Sequence, residues 1–284
     1  MTKKVAIFIS GSGSNMVALV KSMQSLQFAL PTLVLSNKRD AAGLIKAKNL
    51  KIPTVCVEAE KLASCDLSFE ATIQKELEKS NIQSKFIRGL RVTDERVINI
   101  VETVLINFNN DIVASLKKNG SKAISINTKN NNIIEVIPEV KELGFVGTPN
   151  KINNDIIINI LNQKKIPIIS PLGLGKNNQS YNINGDTAAG AIAKSLKSRR
   201  LLLMTNVEGV LNKEKKLIEE ISSSEIVKLI EDKTITEGMI PKINTCLDAV
   251  NNGVTAVGII DGRKQHSLLF EIFSDKGSGT LIRK

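Results

Sequence analysis

Short runs rich in Val, Ile and Leu alternate with longer amphipathic stretches along nearly the whole chain. Val5 to Ile9, Thr32 to Leu35 and Thr54 to Val57 read as strands, while Asn15 to Leu26, Ala41 to Asn49 and Phe69 to Ser80 read as helices. The pattern resumes with a helix over Asp94 to Leu116, strands at Ala123 to Ile126 and Ile133 to Ile137, a helix over Asn153 to Gln163 and a strand at Pro167 to Ser170. Helices at Asp186 to Ser195, Ser223 to Glu231 and Ile240 to Asn252 follow, with strands at Leu201 to Thr205 and Ala256 to Ile260. Strands and helices taken in turn are the signature of βαβ units, so the expected class is α/β with a parallel sheet. Repeats and low-complexity segments are absent. The polar stretch Lys79 to Lys85 is the one candidate seam, which divides the chain into residues 1–83 and 84–284.

At 284 residues and 42% hydrophobic content, the chain can bury one large core or two ordinary ones. Its apolar runs are all broken well short of the ~20 residues of a membrane helix, and the N-terminus lacks a long apolar core. A cytoplasmic protein with no membrane partner is expected. Cys56, Cys65 and Cys246 have no metal-ligand spacing, so no metal centre is expected. The net charge of +11 would suit an anionic partner, but the basic excess is spread along the chain. Aromatics are 3% of residues, with no Trp and one Tyr, which leaves little to stack bases on, and no nucleic-acid partner is expected. A small phosphate-bearing substrate fits the same charge.

The first strand runs directly into Gly11, Ser12, Gly13, Ser14 and Asn15 and then a helix. Successive backbone N–H groups at a helix N-terminus can hold a phosphate, although the same loop can serve as a plain tight turn. With Ser36-Asn37-Lys38 after the second strand, and Ala47-Lys48 before Ile52-Pro53-Thr54, residues 1 to about 83 resemble the N-terminal part of glycinamide ribonucleotide formyltransferase. That resemblance implies a half-Rossmann piece in which Gly11 to Asn15 hold a substrate phosphate. The Asn-x-His-Pro-Ser stretch that carries formyl transfer in that family is missing, and the sole histidine is His266.

Three further glycine-punctuated polar turns each precede a helix: Phe86 to Asp94, Tyr181 to Ala189, and Glu237 to Lys242. In an open α/β sheet such turns gather at the carboxyl ends of the strands, where ligands bind. Arg91 offers a planar fork for a carboxylate, Asn182 and Asp186 stand at a helix start, and Lys242 brings a mobile cation. The plainer readings are a surface arginine, a pair of helix caps and a solvated lysine. The cation nevertheless opposes the dipole of the helix it opens. Such a set suits phosphoryl transfer, where positioning and charge neutralisation dominate.

Through these turns, and over Ile166 to Gly173, Leu201 to Leu211, Ile259 to Arg263, His266 to Phe273 and Gly277 to Ile282, residues from about 85 on resemble the N-acetyl-L-glutamate kinases of the amino-acid kinase family. The resemblance implies a three-layer αβα sandwich on a mostly parallel sheet. It also implies transfer of the ATP γ-phosphate to the side-chain carboxylate of N-acetyl-L-glutamate, with Mg2+, in arginine biosynthesis. Arg91 and Asn182 would hold the substrate, Lys242 would stabilise the transferring phosphoryl group and Asp186 would orient that lysine. A homo-oligomer is left open.

The sequence departs from that family where the family cradles ATP. Its Lys-x-Gly-Gly and His-Gly-Gly-Gly turns are missing, and Ile9 to Asn15 and Ser36 to Gly43 stand in their place. Asn206 replaces an Asp, and Asn127 to Asn132 lack the usual Gly-rich lysine turn. Impaired kinase activity is therefore expected. The alternative is a non-catalytic chimera that binds a phosphate ligand through Gly11 to Asn15.

Overall fold

The computed structural model describes residues 3–9, 12–26, 29–36, 39–56, 69–87, 89–235, 239–274 and 277–284. They form two compact units, Met1–Ser68 and Phe69–Lys284.

The first unit runs β1 (Lys3–Ile9), α1 (Ser14–Leu26), β2 (Ala29–Ser36), α2 (Ala42–Asn49) and β3 (Thr54–Cys56). The three strands pair in parallel in the order β1-β2-β3. The register slips between Val5 and Ala6, opposite Pro31 and Leu33. Pro31 has no N–H to give to the ladder, and a bulge absorbs the gap. Val20, Val34 and Ala47 are fully buried in the core that the helices and sheet share.

The second unit opens with α3 (Phe69–Lys79), the hairpin β4 (Phe86–Ile87) and β5 (Leu90–Arg91), and the long α4 (Glu95–Lys118). Next come β6 (Ala123–Ile126), β7 (Ile134–Pro138), β8 (Gly147–Ile152), α5 (Asn154–Asn162), β9 (Ile166–Ile169), β10 (Leu172–Leu174), β11 (Ser180–Asn182) and α6 (Gly185–Ser195). The unit ends with β12 (Arg200–Thr205), β13 (Glu220–Ser222), α7 (Ser223–Glu231), α8 (Ile240–Asn251), β14 (Ala256–Asp261), α9 (Ser267–Phe273) and β15 (Gly279–Arg283).

Local chemistry sets several of these boundaries. Asp94 caps α4 by accepting from the N–H groups of Arg96 and Val97, both at 2.9 Å. Ser222 and Glu225 close a capping box on α7. The compact units divide earlier than the polar stretch near residue 83, because Ile73 and Leu77 of α3 and Ile82 pack against Val97, Val101 and Leu105 on α4. The apolar stripe of α3 thus belongs to the second core.

With the two parallel ladders of the first unit included, the sheets are mixed and mostly parallel. Parallel ladders join β6 to β9, β7 to β10, β12 to β14 and β13 to β15. Antiparallel pairing is found at β4-β5, β7-β8, β10-β11 and β14-β15. All six residues of β14 are buried. On one side Val257 and Ile259 meet Ile243 and Cys246 of α8, and on the other Gly258 faces Glu271 of α9. That strand is the middle layer of an α/β/α stack. Among the described residues, no helix is long and apolar enough to cross a membrane.

Candidate active site

The register of the β4-β5 hairpin sets Phe86 directly across from Arg91. Cross-strand partners share a face, and the Arg91 guanidinium carbon lies 4.7 Å from the centre of the Phe86 ring, a cation–π contact. The next residues fix this strand from behind. Thr93 is fully buried and donates its hydroxyl to the Arg91 carbonyl at 2.9 Å. The Thr93 N–H donates to Leu143 and its carbonyl accepts from Phe145. Gly144 stands between those two partners with φ +69°, and a Cβ there would run into the Thr93 carbonyl. The Phe145 carbonyl in turn accepts from the Asn182 N–H at 2.9 Å. One backbone relay therefore holds Arg91 and Asn182 in fixed relation.

Both residues line a cavity of about 240 Å³. Glu70, Ile73, Phe86, Gly89, Leu90, Leu105, Val146, Pro171, Ile183, Asn184 and Gly185 complete its wall. The wall is apolar, with its polar groups at a few points, as a small-molecule site requires. Arg91 is 7% exposed. Its Nη2 donates to the Glu70 carboxylate, and its Nη1 is buried with no hydrogen-bond partner. An unsatisfied donor on a buried cation is costly, about 1–3 kcal/mol or more.

The cavity ends at the N-terminus of α6. Asn184 caps that helix, accepting from the Thr187 N–H at 3.1 Å. The cap is therefore neither Asn182 nor Asp186, and both of those side chains are spared that task. Asp186 instead pairs with Lys242 in the first turn of α8. Both partners are largely screened from solvent, so the ammonium is held in one place by one carboxylate. The approach of α6 to α8 depends on Gly190, where a Cβ would stand 2.7 Å from Thr245 Cγ2. Arg91 and Asn182 thus share one cavity, and Asp186 and Lys242 form a pair that begins one residue past its wall.

Behind β11 lies a second polar cluster. Glu102 of α4 accepts from Ser180 and Thr128, both at 2.5 Å, and lies 3.2 Å from the Lys129 ammonium. Burial pushes its carboxyl up, but the hydrogen bonds from Ser180 and Thr128 and the nearby lysine outweigh that and hold it below the ordinary value. Ser180 stands two residues before Asn182, so Glu102 helps pin the strand that carries it.

Elsewhere the expected groups are only partly visible. Gly11 lies outside the described residues, as do Glu237, Gly238 and the Asn15 side chain. The Gly13 carbonyl accepts the first α1 bond, from Val17 at 3.1 Å, and Ser12 and Ser14 are exposed. Asn206 is exposed just past the end of β12, beside the end of β14, where Asp261 pairs with Arg263 through Nε and Nη2 at 3.0 Å. Among the described residues, no three His, Cys, Asp or Glu side chains are grouped to hold a metal ion.

Sequence reasoning did not single out Glu70, Phe86 or Glu102. Phe86 could have been found as the residue that a short hairpin pairs with Arg91. Glu70 carries no such signal, because an acid in a first helical turn is explained by the helix dipole alone.

The model of the Amino acid kinase family matches residues 67–261. The chain belongs to the amino acid kinase family. The Formyl transferase model matches residues 3–108. Similar proteins include the acetylglutamate kinase of Pelagibacter ubique (strain HTCC1062), 58% identical over 212 residues, which are 75% of this chain and 74% of that one. The acetylglutamate kinase of Ruegeria pomeroyi (strain ATCC 700808 / DSM 15171 / DSS-3) is 45% identical over 209 residues, 73% of each chain. Among solved structures, smu.665 from Streptococcus mutans UA159 aligns with TM-score 0.64 and 26% identity over 100% of this chain and 99% of that one. The N-acetylglutamate synthase of Neisseria gonorrhoeae aligns with TM-score 0.67 at 21% identity, over 100% of this chain and 59% of its own, a likeness of fold. This member of the amino acid kinase family is therefore a phosphotransferase by kinship, and its cavity lies within the matched span.

Proposed function

We propose that this chain binds N-acetyl-L-glutamate and ATP and transfers the γ-phosphate to the side-chain carboxylate, at a rate lowered by its replaced N-terminal turns. The observation that carries the proposal is that Arg91, buried and with its Nη1 unpartnered, shares the wall of one cavity with Asn182. A guanidinium with an open N–H suits a carboxylate, and an amide beside it suits the acetylamino group of the substrate.

In the reaction one oxygen of the substrate's side-chain carboxylate attacks the γ-phosphorus. The bond from that phosphorus to the bridging oxygen breaks, and ADP leaves with the electron pair. Two anions must meet, so the barrier is mainly electrostatic. Lys242 places a positive charge beside the first turn of α6, and Asp186 keeps that ammonium from wandering. The N-terminus of α6 adds its partial positive charge. Magnesium would arrive on the nucleotide, held by phosphate oxygens and water, as a site with few carboxylates requires. The first and second phosphate-cradling turns of the family are replaced by Ile9 to Asn15 and Ser36 to Gly43, which is why turnover should be slow.

Trapping the acyl phosphate with hydroxylamine tests this. ATP-dependent hydroxamate from N-acetyl-L-glutamate, above that of Lys242→Ala, is expected. Equal signal from the two proteins would overturn the proposal. A second reading rests on the Formyl transferase match and the strand, loop and helix around Gly13: a phosphate-ligand binder without turnover. A rise in melting temperature with a ribosyl phosphate, and no hydroxamate, would favour it.

A further inference from the structure

The Arg91 fork is not empty at both tines. Glu70, in the first turn of α3, holds Nη2 with its carboxylate while Nη1 stays buried and unpaired. Both residues line the same cavity. Their exposures differ sharply, 6% for the Arg91 side chain and 51% for that of Glu70. The arginine is locked under Phe86 and behind Thr93, whereas the glutamate can swing into water at little cost in desolvation. A carboxylate that enters the cavity to take both N–H groups of the fork must displace Glu70 from one of them. It also meets the negative charge of Glu70 at close range.

We propose that Glu70 is an internal carboxylate that occupies the Arg91 fork and competes with acidic ligands, so that it sets the affinity and selectivity of the cavity for carboxylates. The inference rests on the reading of Arg91 as a carboxylate clamp. A monocarboxylate gains only one new hydrogen bond unless Glu70 leaves. A dicarboxylate of the length of acetylglutamate can drive Glu70 out because its second acid is stabilised elsewhere. Glu70 therefore discriminates against short carboxylates.

The test is a calorimetric titration of the full chain, its Glu70→Gln and Glu70→Ala variants and Arg91→Gln with two probes, N-acetyl-L-glutamate and acetate. The partner of Arg91 is half exposed, so its competing hydrogen bond is modest, and removing its charge should tighten both probes by about five- to tenfold, with ten corresponding to 1.4 kcal/mol. Acetate should gain at least as much as acetylglutamate. Gln keeps the length and helix propensity of Glu, and Ala checks that the gain comes from removing the carboxylate. Equal affinities in wild type and both Glu70 variants would overturn the inference while leaving Arg91→Gln to report on the clamp itself. If Glu70→Gln tightens acetate but acetylglutamate gives no hydroxamate, the inference stands and the kinase reading fails. If no variant binds either probe, both fall.

Discussion

Lys242 and Glu102 each meet a partner for their charge, Lys242 beside the cavity and Glu102 behind β11. Lys242 opposes the dipole of the helix it opens, and Asp186 offsets that local cost. If the ammonium stabilises the transferring phosphoryl group, Lys242→Ala should lower kcat by roughly 10²- to 10³-fold, as loss of one transition-state donor does. KM should change little, because the interaction strengthens only in the transition state. Steady-state kinetics would check this, and a rise in KM at constant kcat would move Lys242 to ground-state binding. Glu102 makes a separate prediction for stability. Its carboxyl titrates below the ordinary value in the folded protein, so it stabilises the fold above the unfolded-state value, and that contribution is lost as pH falls through the lower folded one. The difference in unfolding free energy between wild type and Glu102→Gln should be full near pH 7 and shrink steadily below about pH 4. Denaturant unfolding across that range measures it, and a difference independent of pH would mean that Ser180 and Thr128 do not depend on the charge.

Among the elements, α6 and α8 decide how close Asp186 and Lys242 come. Their contact at Gly190 leaves no room for a methyl group against Thr245. Gly190→Ala gains helix propensity of about 0.8–1 kcal/mol but overpacks the contact at a cost of roughly 1–3 kcal/mol. The variant should lose both stability and turnover. Adding Thr245→Ser removes Cγ2 and should restore both, and thermal melts with hydroxamate assays on the single and double variants would report it. Failure of rescue would mean that the helix spacing is not what holds the ion pair. Helices and parallel strands of this kind were legible in the sequence, with boundaries such as Ser223–Glu231 and Ala123–Ile126 matching the structure. The short strands β4, β5, β8, β10, β11, β13 and β15 were not. Five of them run two or three residues, too short for a period-2 pattern to rise above its neighbours, and the longer β8 and β15 do not alternate buried with exposed residues. Helix α9 was equally hidden, because its exposed Phe270, Ile272 and Phe273 blur any polar face.

For the molecule as a whole, two family models match overlapping parts of one chain, and the match of the kinase model from residue 67 agrees with a second compact unit that starts at Phe69. Two of the motif turns were legible as neighbours, since Arg91 and Asn182 line one cavity. The identity of the groups touching Arg91 was not, because Glu70 is 21 positions away and reaches it only through the packing of α3 on α4. The phosphate loop proposed for the first unit and the acid-binding role proposed for the cavity of the second make separable demands, and the cavity can be tested without turnover. Calorimetric titration of N-acetyl-L-glutamate into wild type and Arg91→Gln does so most directly. Saturable binding to wild type, weakened at least tenfold in the variant, is the predicted result, and equal binding to the two proteins would contradict it.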